Sequence, residues 1–418
     1  MTAALHRNSS ALPDGLRIED MIQSQCIHTR YQPIISLKKQ CTIGFEAYCY
    51  GLNPVTGKEI PLRTLYRAAE QEELFVEFDR YCRKISLGAL AVLHKVNPAL
   101  QLFLRFEGAV LNYGVVGSNI LFEQVSALGV PPHNVVIEVI ESSVREDRTL
   151  AQFVKAYQER NFLIGLCGLG HSHLYLQRIP LVCPNTVHIE GDLITGLAQS
   201  KMNQIVVRSL VQLANNMGAL VVANGIESIE AGVIATELGI DMQQGSLFGK
   251  PHALDRHNLM ACQARIREIV KISKGEIAAR IAVMRKQRKH LEETAHSIAK
   301  ILTGLSTREF SAVLGDAAKR HREIECLYIL NDRGIQIGDT VCGHALSAAI
   351  SGSMFQPAAD RTDQSLKDYY YRRQDMDGDL YISEPYVSLA SGSTCITLSL
   401  SFSSTANSEY ILCIDFIV

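Results

Sequence analysis

Between residue 29 and about residue 250, short β-rich runs alternate with amphipathic helical stretches, and no other feature restricts the fold as strongly. The β-rich runs are TRYQPIISL, IGFEAYCY, LQLFLRF, NVVIEVI, NFLIGLCG, TVHIE, ALVVANGI and the shorter MQQGSLFG. Helix-like segments such as LRTLYRAAEQEE, DRYCRKISLGALAVLHK, LAQFVKAYQER and NQIVVRSLVQLANNMG lie between them. Eight strands alternating with helices is the count of an α/β, TIM-like (β/α)8 barrel. A doubly wound open sheet is the rival, because strand order is not written in a single sequence. A chain of 418 residues exceeds what one compact core usually carries, so a second domain is expected beside a first of ~200–250 residues.

After PHALDRH the pattern changes. Residues 258–300 read as a long helix rich in Lys and Arg, with Ile277, Met284, Leu291 and Ile298 at seven-residue spacing. Ile281 and Ala295 partly fill the companion seam, while Lys274 and Arg288 interrupt it, so packing on the chain's own domains and a homodimer seam both stay open. The cluster RKQRKH at 285–290 has no interleaved aromatic for base stacking and reads as a solvated face. From about residue 301 a helix around TREFSAVLGDAAKRHRE leads into β-rich sequence, including ECLYILNDRGIQIGD, which looks like a hairpin with a D-R-G turn. The expected organisation is an N-terminal extension (1–19), a barrel (20–257), a linker helix (258–304) and a smaller α+β domain (305–418).

Composition narrows the function classes. Hydrophobic residues are 47% and charged residues 20%, ordinary for a globular protein. The 41 basic and 43 acidic side chains nearly cancel, so no global charge draws the chain to nucleic acid or to an anionic membrane. The stretch MTAALHRNSSALPDGLRIED lacks a secretory apolar core, and no segment approaches the ~20 apolar residues of a membrane span, so a cytoplasmic location is expected. The 11 cysteines form no C-x-x-C pair, and several, such as Cys183, Cys326 and Cys413, lie in apolar strand-like runs. They read as buried free thiols.

Barrel chemistry sits at the C-terminal ends of the strands. Those ends carry Glu46, Glu138 with Glu141, and Glu227, together with Arg105 and His188. Convergent carboxylates repel one another unless a cation such as Mg²⁺, Mn²⁺ or Ca²⁺, or a basic side chain, sits among them. The loop IGLCGLG at 164–170 carries glycines in the G-x-x-G-x-G order, which matches neither familiar nucleotide-binding fingerprint.

YQPIISL followed by GFEAY, then VVIEVIE, ANGIE and QQGSLFGKP, make residues 20–255 resemble the EAL domain family, barrel phosphodiesterases that linearise cyclic di-GMP. The resemblance implies that Glu46 and Glu138 match metal ligands, that Glu141 matches an acid steadying the loop after the next strand, and that Glu227 and Gln244 match pocket positions. Other positions depart from the family pattern. Arg105 stands where the family has an asparagine ligand, His188 where it has a lysine near the attacking water, and Asn224 where it has a glutamate. Gly165 and Leu166 stand where it has two adjacent aspartates. The leucine of E-A-L is Tyr48, and a nearby phosphate-gripping arginine falls on Tyr50. Two-metal hydrolysis needs anionic ligands to bridge hard cations and to acidify water. The expectation is therefore a catalytically dead barrel with no bound metal, Arg105 replacing the cation between Glu46 and Glu138. Mg²⁺ or Mn²⁺ would enter only if the barrel were active after all.

The stretch DYYYRRQDMDGDLYISEPYVSLASGSTCITLSLSF resembles the sensor domains of the PAS and Cache superfamily. That resemblance makes Tyr370, Arg373, Tyr386 and Asp415 candidates for a pocket taking a small carboxylate ligand. The combined expectation is a signalling or protein-interaction module with an unidentified protein partner. The alternatives are a non-hydrolysing cyclic di-GMP receptor and a working phosphodiesterase with unusual metal ligation.

Overall fold

The computed structural model describes residues 12, 15–140, 144–169, 176–254, 256–343, 354–374, 380–405 and 408–417. The first two strands, β1 (Ile27–Ser36) and β2 (Cys41–Leu52), are joined by residues 37–40 alone. So short a connection cannot make a parallel crossover, and the two pair as an antiparallel hairpin from Ile27↔Gly51 to Ser36↔Cys41. A two-residue strand, β3 (Glu59–Ile60), extends the hairpin edge. Each later strand follows a helical segment and joins in parallel: β4 (Gln101–Glu107), β5 (Val135–Ile140), β6 (Leu163–Leu169), β7 (Thr186–Ile189), β8 (Leu220–Asn224) and β9 (Met242–Gln244).

The sheet order is β1-β9-β8-β7-β6-β5-β4-β2-β3, and β1 pairs with both β9 and β2. The sheet therefore closes on itself, which excludes the open doubly wound alternative. All eight β-rich runs of the sequence become barrel staves. One refinement concerns direction: the first stave is reversed relative to its neighbours, a consequence of the hairpin.

Strand parity divides the core into two layers. Leu102, Leu104 and Phe106 of β4, with Val135, Ile137 and Val139 of β5, belong to the large outer core, as do Leu150, Phe153 and Val154 of the helix Asp147–Gln158. Phe103, Val136, Val222 and Met242, with Ile34, form a separate inner cluster that fills the barrel below its mouth. After β9, Gly245 approaches the Ile226 backbone so closely that an added Cβ would lie 2.0 Å from the Ile226 carbonyl oxygen. That approach explains the glycine of QGSLFG.

The helix Arg256–Leu302 is longer than a spacer. Cys262, Ile266, Ile269 and Val270 belong to the barrel core, and Ala295, Ile298, Ala299 and Leu302 to that of the second unit. The chain divides into compact units at Ala278 and Ala279, inside this helix. Of the heptad positions, Met284 and Ile281 are exposed while Ile298 is buried.

The second unit is an antiparallel sheet of β10 (Ile324–Asn331), β11 (Val341–Cys342), β12 (Leu380–Ile382), β13 (Tyr386–Val387), β14 (Thr394–Ser403) and β15 (Glu409–Ile417). Its order is β11-β10-β15-β14-β12, with β13 also on β14. Leu327, Ile329, Leu398, Leu400, Leu412 and Ile414 pack with Phe310 and Leu314 of the helix Phe310–Arg320. Tyr328, Leu330, Ile411 and Cys413 alternate with them and form a second cluster with Tyr369 and Tyr370 of the helix Asp368–Gln374. The turn after β10 forms as expected: Asn331 Oδ1 accepts from the Arg333 and Ile335 amides.

Among the described residues no disulfide joins the cysteines. Cys326 and Cys413 are buried in strands, but Cys183 is exposed and follows the short helix Ile179–Val182. Among the described residues no helix is long and apolar enough to cross a membrane.

Candidate functional site

The alternation that sends Leu104 and Ile137 outward sends Arg105 and Glu138 into the barrel mouth. The same parity turns Glu46, Cys167, His188 and Asn224 inward. Glu46, Glu138 and His188 are almost completely buried, and Arg105 is half-buried, its side chain 37% exposed. Of the acids expected to converge, Glu46 and Glu138 meet at the mouth, together with Arg105 and His188, whereas Glu227 is exposed and does not join them.

Glu46 is well provided with partners. Its Oε2 accepts from Gln244 Nε2 at 2.8 Å and from the Tyr48 hydroxyl, and Gln244 Nε2 also reaches Tyr48 and Gln32 at 3.1 Å. Arg105 Nη1 stands 3.9 Å from Glu46 Oε1, an ion pair at the outer limit of contact. Burial raises the Glu46 carboxyl pKa, opposed by Arg105, Tyr48 and Gln244. Burial also works against the Arg105 charge, but Glu46, Cys167, Glu138 and Glu190 outweigh it and hold the guanidinium protonated. Tyr48 thus occupies the mouth as a hydrogen-bond donor, and Tyr50 lies beneath the Arg30 guanidinium at 4.1 Å from its ring centre.

Glu138 is in a different position. Among the described residues neither of its oxygens has a hydrogen-bond partner, and its near neighbour is His188, with Nε2 at 3.1 Å from Oε1 in an alignment that makes no hydrogen bond. Burial raises the Glu138 pKa well above the usual carboxylate range, and the Glu46 charge adds to it. Burial, followed by the Arg105 charge, pushes the His188 imidazole down to about 3, so it is neutral. Asn224 Nδ2 lies 3.5 Å from His188 Nδ1.

The strand with the glycines corrects one expectation. Leu166 does not replace an acid at the mouth: it is buried in the outer core and registers with Val139. Gly165 faces inward, and a Cβ there would lie 2.8 Å from Thr186 Oγ1 and 3.4 Å from Glu138 Cγ. The next inward side chain is Cys167, a residue that sequence reasoning left inside the loop. Parity with Gly165 was the available signal. Donor atoms of Glu138, Cys167 and His188 all lie within 4.8 Å of one another.

Of the remaining candidates, Glu227 is exposed in the segment after β8. Glu141 lies outside the described residues. In the second unit, Asp415 is buried and Oδ1 accepts from Thr397 at 2.7 Å, Tyr386 at 3.2 Å and Tyr328 at 3.3 Å. Burial lifts its pKa to about 7 despite these donors. Tyr386 and Asp415 are therefore hydrogen-bonded to each other. Tyr370 packs in the same aromatic cluster but gives its hydroxyl to the Asp332 carbonyl at 2.8 Å. The Arg373 side chain lies outside the described residues. The sheet also brings Glu325, Cys395 and Asp415 together, a cluster not evident in sequence order.

The barrel can be tested against a pair of hard cations. Such ions take oxygen ligands, and one acid, Glu46, is already committed to Gln244, Tyr48 and Arg105. Gly165 offers no oxygen and Leu166 points away, so among the described residues the uncommitted inward donors are the Glu138 carboxyl and the Asn224 amide oxygen, beside a thiol and an imidazole. The residues present do not fit an Mg²⁺ or Mn²⁺ pair.

The sequence pattern of the EAL domain matches residues 16–251, more than half of the chain. The chain belongs to the EAL domain family. It is 23% identical over 252 residues to the probable cyclic di-GMP phosphodiesterase PdeN of Escherichia coli, covering 58% of this chain and 46% of that protein. It is 29% identical over 234 residues to the bifunctional diguanylate cyclase/cyclic di-GMP phosphodiesterase MucR of Pseudomonas aeruginosa, covering 53% and 32% respectively. The chain thus spans less than half the length of these curated relatives. Among solved structures, the Bacillus subtilis YkuI protein, which has an EAL domain and was crystallised with substrate c-di-GMP and calcium, superposes with a TM-score of 0.76 at 19% identity. That match covers 96% of this chain and 99% of the other, so the likeness of fold extends beyond the EAL domain into the second unit.

Proposed function

We propose that this EAL-domain protein does not hydrolyse cyclic di-GMP and acts as a signalling or protein-interaction module in a cyclic di-GMP-related pathway. The single observation that carries this reading is the barrel mouth itself: Gly165 supplies no ligand oxygen, and Arg105, a permanent cation, faces Glu46. A site with a glycine where the family resemblance has an aspartate, and a guanidinium where it has an asparagine, has less of the negative charge that would hold two cations and acidify water.

The second unit is read as a PAS- or Cache-like sensor with Tyr386 and Asp415 in its ligand region. A cytoplasmic homodimer, working through a protein partner, completes the proposal.

One observation favours a second reading, a receptor that binds without cutting. A cavity of about 390 Å³ lies beside the mouth, with Tyr48, Tyr66, Arg63 and Arg105 in its wall. Guanidinium groups with aromatic neighbours suit a phosphate-bearing base. Incubating the purified chain with cyclic di-GMP and Mn²⁺, with chromatography of the nucleotide and a binding isotherm, separates the readings. Linear product defeats the proposal, binding without product selects the receptor, and neither outcome leaves the interaction module.

A further inference from the structure

Glu138, Cys167 and His188 come from three neighbouring strands, β5, β6 and β7, and their donor atoms lie within 4.8 Å of one another. Tetrahedral zinc, with bonds of about 2.0–2.3 Å, separates its donor atoms by roughly 3.3–3.7 Å. The 3.1 Å spacing of His188 Nε2 and Glu138 Oε1 is already close to that geometry. Three buried lone-pair-bearing atoms, both Glu138 oxygens and His188 Nε2, have no hydrogen-bond partner among the described residues. Buried polar atoms almost always have one.

We propose that the barrel mouth binds one borderline-soft divalent ion of the zinc class on Glu138, Cys167 and His188. Of these three, only Glu138 matches a metal position in the family resemblance, and the donor set selects a different kind of metal. Thiolate and imidazole favour zinc or cobalt over magnesium and manganese.

The charges balance. A divalent ion with the Glu138 carboxylate and the Cys167 thiolate is a neutral unit, and Arg105 with Glu46 is another. Arg105 and the ion therefore serve different acids. Asn224 positions His188. Its Oδ1 is buried without a partner, and turning the amide over lets that oxygen accept the Nδ1 proton, which presents Nε2 as the ligand. Phe103 meets the imidazole edge-on at 5.9 Å and, with Val136 and Val222, walls the site with apolar side chains.

The cluster of Glu325, Cys395 and Asp415 carries less weight, because Asp415 Oδ1 already accepts three hydroxyl protons and Glu325 accepts one from Ser391.

The test uses the full chain, stripped with a chelator and titrated with Co²⁺. The expected result is one equivalent bound, with tetrahedral ligand-field bands and a thiolate-to-cobalt charge-transfer band, undisturbed by excess Mg²⁺. In Cys167→Ser the charge-transfer band disappears and affinity falls at least tenfold. No cobalt uptake by the wild type, or an unchanged band in Cys167→Ser, overturns the proposal. Should Cys167→Ser fail to fold, X-ray absorption at the zinc edge of the wild-type complex decides. One sulfur and one imidazole support the site, whereas an all-oxygen or multi-sulfur shell overturns it.

Discussion

Glu138 in the barrel and Asp415 in the second unit are both buried carboxyls on strand interiors, and their surroundings differ sharply. Asp415 Oδ1 collects hydrogen bonds from Thr397, Tyr386 and Tyr328. Glu138 collects none from the described residues and faces a neutral imidazole. Burial alone therefore says little about what an acid does. Donors that fill an acid's lone pairs tie it to its own fold, whereas unfilled lone pairs beside a thiol and an imidazole point outward, to a ligand.

The largest effect is expected from refilling the barrel mouth. Gly165→Asp forces a Cβ to within 2.8 Å of Thr186 Oγ1 and adds a third carboxyl beside Glu46 and Glu138. Overpacking together with an unpaired buried charge costs about 3–5 kcal/mol, measured as a lowered denaturation midpoint. Adding Leu166→Asp makes matters worse, because that side chain belongs to the outer core. Restoring both aspartates is expected to leave cyclic di-GMP uncut; turnover in the double variant would show that the mouth had kept its catalytic frame.

Asp415→Ala comes next. It leaves the hydroxyls of Thr397, Tyr386 and Tyr328 without their shared acceptor, at about 1 kcal/mol each and about 3 kcal/mol in all, readable by urea denaturation. A cost below about 1 kcal/mol would mean that these hydroxyls find other partners, and the contrast with Glu138 would weaken.

The pH dependence of the same acid gives a signal of similar size, spread over several pH units. Its folded pKa of about 7 lies above the unfolded value of 3.8, so at low pH both states hold the proton and no difference arises. As pH rises from about 4 toward 7 the unfolded chain ionises first and stability falls, by at most about 1.4 kcal/mol per pH unit. Asp415→Asn keeps an oxygen acceptor and removes the titration. Stability of the variant relative to wild type should therefore rise over that window and level off above it. A flat difference would place the acid's pKa at its ordinary value.

Much of this contrast was legible in the sequence. Eight alternating runs specified the staves, and period two specified which residues of VVIEVI and LFLRF face inward, so the meeting of Glu46, Arg105 and Glu138 followed. The short connection at 37–40 carried the reversed first stave, though counting strands did not reveal it. Leu166 was misplaced because a motif read as a loop hides the alternation of its first residues; the structure keeps them in β6, whose register with β7 shifts only after Leu166. Cys167 was missed for the same reason. Tyr370 could not be resolved from sequence, since its partner, the Asp332 carbonyl, is distant in the chain and a backbone atom has no motif.

The smallest expected effect sharpens the comparison most. Replacing Asp415 removes hydrogen bonds, but Glu138→Gln removes none that the described residues donate to its oxygens. What it does remove is the cost of keeping an ionisable group away from water beside a second acid, Glu46. At low pH, where the carboxyl is protonated in both states, the substitution should change the stability of the metal-free protein by less than about 1 kcal/mol, and the difference should grow in the variant's favour as pH rises and the wild-type carboxyl is driven to ionise. With one equivalent of Zn²⁺ the order should reverse, since only the wild type gains stability by mass action on the folded state. Denaturation of both proteins with and without the ion measures this directly. If Glu138→Gln proves as costly as Asp415→Ala in the metal-free chain, Glu138 has donors that matter to its fold, and the distinction between the two acids is lost.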